Sequence, residues 1–125
     1  MVQTDISQLS QECIQWIEQL HSYRDELNQL NQQLQNTASR PLSKDDLTEL
    51  EHFQNQFQIQ LINVHDVKLE AKQLNRKVQY QLSTSNMDIS EETYHDYEKV
   101  ADDYETLEHT IAELRNEFNR FVTHV

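Results

Sequence analysis

Glycine is absent from the 125 residues of this chain, and proline occurs once, at Pro41. Strands and tight turns recruit glycine wherever φ turns positive, so its absence points to long helices and few loops. Cysteine is also single, at Cys13, which excludes an internal disulfide and fits a cytoplasmic protein. Bases are scarce: 10 Lys and Arg stand against 22 Asp and Glu, giving a net charge of -12 and a pI near 4.7. That balance disfavours phosphate backbones and anionic membrane surfaces, so a nucleic-acid partner is not expected. No apolar run approaches the roughly 20 residues of a membrane span, and the start lacks the apolar block of a signal peptide.

What is present is periodicity. A hydrophobic content of 36% and a mean hydropathy of -0.86 are low for a compact globule and suit an elongated bundle. The charge alone would allow a disordered chain, but regular spacing argues against it. In the first segment Ile6, Leu9, Cys13, Trp16, Leu20, Tyr23, Leu27, Leu30 and Leu34 recur in alternating steps of three and four. This is the heptad pattern of a helix with one buried stripe. Trp16 lies on that stripe, so its indole is expected to plug the seam between helices rather than serve as a stacking platform for a ligand.

The segment "SRPLSKDDL" stops one helix and starts the next. Pro41 disfavours helix in the residue before it. Ser43 is a good N-cap with Asp46 at the capping-box position, and Leu42 and Leu47 have staple spacing. The second stripe reads Leu50, Phe53, Phe57, Leu61, Val64, Val67, Ala71, Leu74, Val78 and Leu82. A second break, "STSNMDIS", precedes Ser90, which caps the third helix with Ile89 and Tyr94 as a staple. Its stripe is Tyr97, Val100, Tyr104, Leu107, Ile111, Leu114, Phe118, Phe121 and Val125. The expectation is one all-α domain over 1–125, with helices over 5–38, 43–83 and 90–124. Short links imply an up-down-up antiparallel bundle, and the seven-residue repeat implies a left-handed supercoil. Residues 88–108 carry nine acids and one base, Lys99. The end of helix two carries Lys68, Lys72, Arg76 and Lys77, so antiparallel packing is expected to set these charges side by side.

Chemistry-bearing motifs are missing. The chain has no Gly-rich phosphate loop and no paired-cysteine metal site. Glu49 with His52, and Glu92 with His95, have the Glu-x-x-His spacing of di-iron bundles. Both histidines fall at outward heptad positions, so metal is not expected. His21 and His65 flank the stripes, and Glu105, His109 and Glu113 form an outward i, i+4 ladder. Tyr23, Tyr97 and Tyr104 lie on the stripes and read as amphipathic core filler, with Trp16, Phe57 and Phe118. No nucleophile has a base placed near it, so neither catalysis nor a cofactor is expected.

One feature exceeds what folding needs. Ile59, Ile62, Leu69 and Tyr80 lie off the main stripe of helix two, interrupted by Asp66, Gln73 and Arg76. They line either an exposed surface for a protein partner or self-association, or a face that a slight rotation or Ile14 and Ile17 of helix one would cover. Helix three also stays apolar through "FNRFVTHV", which fits a dimer contact or a helix that continues.

The chain resembles a spectrin repeat. In "ECIQWIEQL", Trp16, Ile17 and Glu18 match the aromatic seam residue, the aliphatic and the acid of that family's first helix. "LSKDDLTELEHF" resembles the opening of its second helix, and "QLINVHDVKLEA" its middle, with His65, Leu69 and Ala71 in matching places. In "DDYETLEHTIAELRNEF", Tyr104 stands where the family often has a second Trp, Leu107 follows three later, and Arg115 and Phe118 echo an Arg and a Leu further on. The resemblance implies a structural spacer or scaffold of the actin-linked cytoskeleton, as in spectrin, actinin, dystrophin or plakin proteins, and no catalysis. Two other classes share the three-helix outline: the regulatory N-terminal domain of syntaxin-type fusion proteins, and small bacterial helical adaptors or secretion chaperones.

Overall fold

The computed structural model describes residues 6–84 and 89–125. Within them the chain forms three helices: α1 (Ile6–Ala38), α2 (Lys44–Ser83) and α3 (Glu91–His124). At 33, 40 and 34 residues they run about 50–60 Å each at 1.5 Å per residue. Two of the expected starts move by one residue for one reason. Ser43 and Ser90 have extended backbone, at φ/ψ of -67/166° and -66/155°, so each stands outside its helix as the N-cap. The Ser43 hydroxyl accepts from the Asp46 N–H, and the Ser90 hydroxyl from the Thr93 N–H, both at 3.1 Å. The expected start at residue 5 and most of the second link, residues 85–88, lie outside the described residues.

Side-chain pairs fix the topology. Ser10 takes a hydrogen bond from the Gln79 amide at 2.6 Å and donates to Asn75 Oδ1 at 3.2 Å, and Leu20, Leu27 and Leu34 share a core cluster with Leu50, Phe53 and Phe57, so the start of α1 meets the end of α2 and the two run antiparallel. The Lys99 ammonium reaches Glu70 at 2.7 Å while Lys77 meets Glu92 and Asp96, so α2 and α3 are antiparallel too. α1 and α3 therefore run parallel: Trp16 lies beside Tyr97 and Tyr104, and Glu26 pairs with Arg115. The result is an all-α, up-down-up three-helix bundle. Its core falls into two clusters. One joins Leu20, Leu27, Leu34, Phe53, Phe57, Val64, Ile111 and Phe118 among others, and the second joins Ile6, Leu9, Cys13, Ala71, Leu74, Val78 and Val100.

The second stripe needs correcting at Leu61 and Leu82, two half-buried residues that share one helical row. Gln60 is buried, 4% exposed, while Leu61 is only half-buried. Residues 50, 53, 57, 60, 64, 67, 71, 74 and 78 continue an unbroken alternation of three and four, and Leu61 steps out of it. Helix phase, not side-chain polarity, decides which residue faces inward. The Asn63 side-chain amide donates to Gln60 Oε1 at 3.2 Å, which offsets part of the cost of burying the Gln60 amide. Gln60→Leu removes that requirement at little change in volume. It is expected to raise Tm by a few degrees, about 1 kcal/mol, in a thermal melt followed by circular dichroism. The inner stripes also extend further than apolar residues alone indicate, because Thr37 and Thr93 are buried at 2% and 3% exposure. The Thr37 hydroxyl turns back to donate to the Gln33 carbonyl at 2.9 Å.

The expected match of basic α2 with acidic α3 is realised by Lys77 alone. Lys77 shares its helix row with Glu70, which faces α3. Lys68 shares its row with Asn75, which faces α1 through Ser10. Lys72 lies one step outward on that same flank. Among the described residues, Lys68, Lys72 and Arg76 form no ion pair.

Candidate functional site

The outer surface of α2 carries the candidate site. Counting outward from the α1 seam, helical geometry sets four rows of residues seven apart. The first holds Leu61, Lys68, Asn75 and Leu82, the second His65, Lys72 and Gln79. The third holds Ile62, Leu69 and Arg76, and the fourth Ile59, Asp66, Gln73 and Tyr80. Ile62 is 61% exposed, Tyr80 70%, Ile59 46% and Leu69 43%. No rotation of α2 covers them, and Ile14 of α1 is itself 45% exposed. All four side chains therefore stand on one outward strip, in two adjacent rows. The helix can hold them there because its inner stripe already supplies the core: Phe57, Val64, Ala71 and Val78 point the opposite way and are buried.

The flanks of the strip differ in charge. On the α3 side, Glu70, Lys77, Asp96, Lys99 and Asp103 neutralise one another. On the α1 side, Lys68, Lys72, Arg24 and His21 gather with Asp25 as the nearby acid. Burial and the Lys72 and Arg24 charges lower the Lys68 ammonium below its ordinary value. Burial lowers His21 too, and Lys68, Arg24 and Lys72 add to it.

The other stripe residues divide. Tyr23, Phe57 and Phe118 are buried, with Phe57 and Phe118 meeting edge to face at 5.1 Å. Trp16 and Tyr104 are not plugs; both are half-buried at the α1–α3 edge. Trp16 sits between Tyr97 and Tyr104, at centroid distances of 5.7 and 5.9 Å, and Tyr104 continues the file to Tyr23 at 6.5 Å. An indole is too large for a seam position flanked by two rings, so it spreads along the edge. Tyr104 is held there by its polar end: it and Tyr23 both donate to Glu108 Oε2, at 3.4 and 2.9 Å. A shallow groove of about 570 Å³ runs beside the indole, lined by Gln15, Glu18, Gln19 and Ser22 with the two rings. Below it, Arg115 clamps Glu26 with two hydrogen bonds of 2.8 and 2.7 Å. Stripe position was readable for Trp16, Tyr97 and Tyr104, but the file that they form between α1 and α3 was not. The Glu108 and Glu26 contacts had no signal in an acidic sequence.

This file makes stability pH-dependent. Burial, with the Glu12 carboxylate beside it, raises the Tyr97 phenol to about 12. Burial also raises Tyr104, helped by Tyr23 and Glu108, and raises Tyr23, helped by its bond to Glu108. Unfolded tyrosines titrate near 10. The folded state therefore keeps protons that the unfolded state has lost, so stability is full below about pH 10 and falls from there toward 12. Tm is expected to drop steeply over that window, and Tyr97→Phe is expected to make the drop shallower.

Cys13 is buried, and its thiol is pushed up to about 11 by burial and the neighbouring Glu12 charge. His52 and His95 are exposed, and His109 pairs with Glu113 at 3.0 Å on the surface. Among the described residues no group of three His, Cys, Asp or Glu is placed to hold a metal ion, and no helix is long and apolar enough to cross a membrane. Comparison with protein-family models, curated proteins and solved structures finds no match.

Proposed function

We propose that this chain is a non-enzymatic structural module, a helical rod unit that spaces and docks other proteins, with the outer strip of α2 as its docking surface. The observation that carries this is the strip itself: Ile59, Ile62, Leu69 and Tyr80 are all large, apolar or amphipathic, and 43–70% exposed in a bundle whose core is already complete. Several large apolar side chains exposed on one face of an otherwise charged protein mark a contact site. The long parallel-sided helices supply rigidity, and the likeness of "ECIQWIEQL" to a spectrin repeat extends the proposal to a cytoskeletal scaffold of the cytoplasm.

Light scattering and partner capture with an Ile62→Asp variant test this. The variant is expected to lose the self-associated or partner-bound species and to keep its helical circular dichroism. Unchanged assembly together with collapsed helicity would place Ile62 in the core and end the proposal.

A further inference from the structure

We infer that the partner docked on α2 is an acidic amphipathic helix, its apolar residues covering Ile62 and Leu69 and its carboxylates meeting Lys68, Lys72 and Arg76 of α2 and Arg24 of α1. This rests on the docking role proposed for α2 and names the chemistry of what docks there.

The positions of the charges carry it. Lys68, Lys72 and Arg76 are one helical turn apart, a spacing at which like charges repel. Arg24 of α1 lies in the same cluster and, unlike the three of α2, already pairs with Asp25 at 3.2 Å on the exposed surface. The chain has 22 acids, yet among the described residues none pairs with Lys68, Lys72 or Arg76. Lys77 and Lys99, on the other flank, are each held by two carboxylates. Along residues 59–80 of α2, the cations without an ion pair therefore stand on the α1 side of the apolar strip or within it, while Lys77 on the other flank is paired; among the described residues Arg40, Lys44 and Arg120 are also unpaired but lie outside that stretch. Lys72 stands in the row next to Ile62 and Leu69, and Arg76 in the same row as both. A helix laid along the strip would place one of its edges over these cations, where carboxylates are attracted and ammonium groups repelled.

A second copy of this chain does not offer a row of apolar residues edged by acids. Its α2 repeats the same cations around Ile62 and Leu69, and among the described residues its acidic segments expose single large hydrophobics only, Ile14 on α1 and Leu47 near the start of α2. Its α3 is acidic, but none of the exposed large hydrophobics belongs to α3, so Ile62 and Leu69 would be covered by polar side chains only. The net charge of -12 keeps free anions away in general, so a local basic edge serves a partner that also brings apolar contact.

Two synthetic helical peptides test the inference against the whole chain. Both carry one leucine row at 3-4 spacing; one has glutamates along the edge of that row and the other has lysines. Binding is read by fluorescence anisotropy of labelled peptide, and its place by amide shift changes in nuclear magnetic resonance spectra. The glutamate-edged peptide is expected to bind about tenfold tighter or more at low salt, to shift amides of residues 59–80, and to weaken as salt rises. Lys68→Glu with Lys72→Glu is expected to reverse the preference, and Lys68→Gln with Lys72→Gln to abolish it, with helicity unchanged in both. Equal binding of the two peptides, lost for both in Ile62→Asp, would overturn the acidic partner and leave the docking role of α2 standing. Failure of the glutamate-edged peptide to bind α2, or a wild-type dimer with Ile62 buried between copies, would overturn the acidic partner. Failure of both peptides to bind α2 would count against the docking role as well.

Discussion

Phe57→Ala is expected to cost the bundle about 3–5 kcal/mol and to lower Tm by roughly 10–25 °C. Phe57 is fully buried and touches Phe53 at 6.2 Å and Phe118 at 5.1 Å between ring centroids. Phe53 in turn meets Phe118 and Phe121 at 5.4 and 5.3 Å, so four rings from α2 and α3 share one packing unit. Truncating the ring removes its transfer free energy and leaves a void that long, straight helices are poorly able to close. Chemical denaturation of the variant measures the loss directly. A change below about 1 kcal/mol would show that the site collapses freely and that the rings do not set the helix spacing.

Leu27→Asp is expected to remove cooperative unfolding altogether. Leu27 is fully buried in the larger core cluster, so an aspartate there leaves an unpaired charge away from water. The expected cost exceeds about 4 kcal/mol, a large share of the stability of a domain this size. Ile62→Asp, by contrast, changes the same kind of atoms at a residue 61% exposed, and its expected cost is within about 0.5–1 kcal/mol. Measured side by side in urea, the pair separates an inward row from an outward one. Equal losses would place Ile62 among the core residues.

Much of the fold was legible because the chain leaves few alternatives. Without glycine and with one proline, each break stands out, and Ser43 and Ser90 mark the restarts by the hydroxyl that each offers to a backbone N–H. The stripes of α1 and α3 were legible because apolar side chain and helical phase agree at nearly every step. Where they disagree the sequence misleads: Leu61 attracts attention by polarity while phase selects Gln60 for burial. Trp16 and Tyr104 lie on the correct stripe but not in the interior, because ring size and a phenol seeking Glu108 push both to the edge. The basic residues of α2 illustrate a third limit. Lys68 and Lys77 are nine residues apart and look equivalent in a list, yet they stand on opposite flanks, one toward α1 and the other toward α3. Azimuth around the helix, rather than local composition, decides which charges meet.

The candidate strip was legible as a set of off-stripe residues, and what remained open was whether another helix covered it. Packing answers that: the strip faces away from both neighbours. What docks there is written only indirectly, in the charges left unmatched along its edge.

Hydroxyl-radical footprinting of the intact chain tests the central claim, that α2 buries one row while presenting another. Ile59, Ile62, Leu69 and Tyr80 are expected to label at rates near those of the unfolded chain, and Phe57, Val64 and Phe118 to be strongly protected. Protection of Ile62 and Leu69 equal to that of Phe57 in the monomer would contradict it.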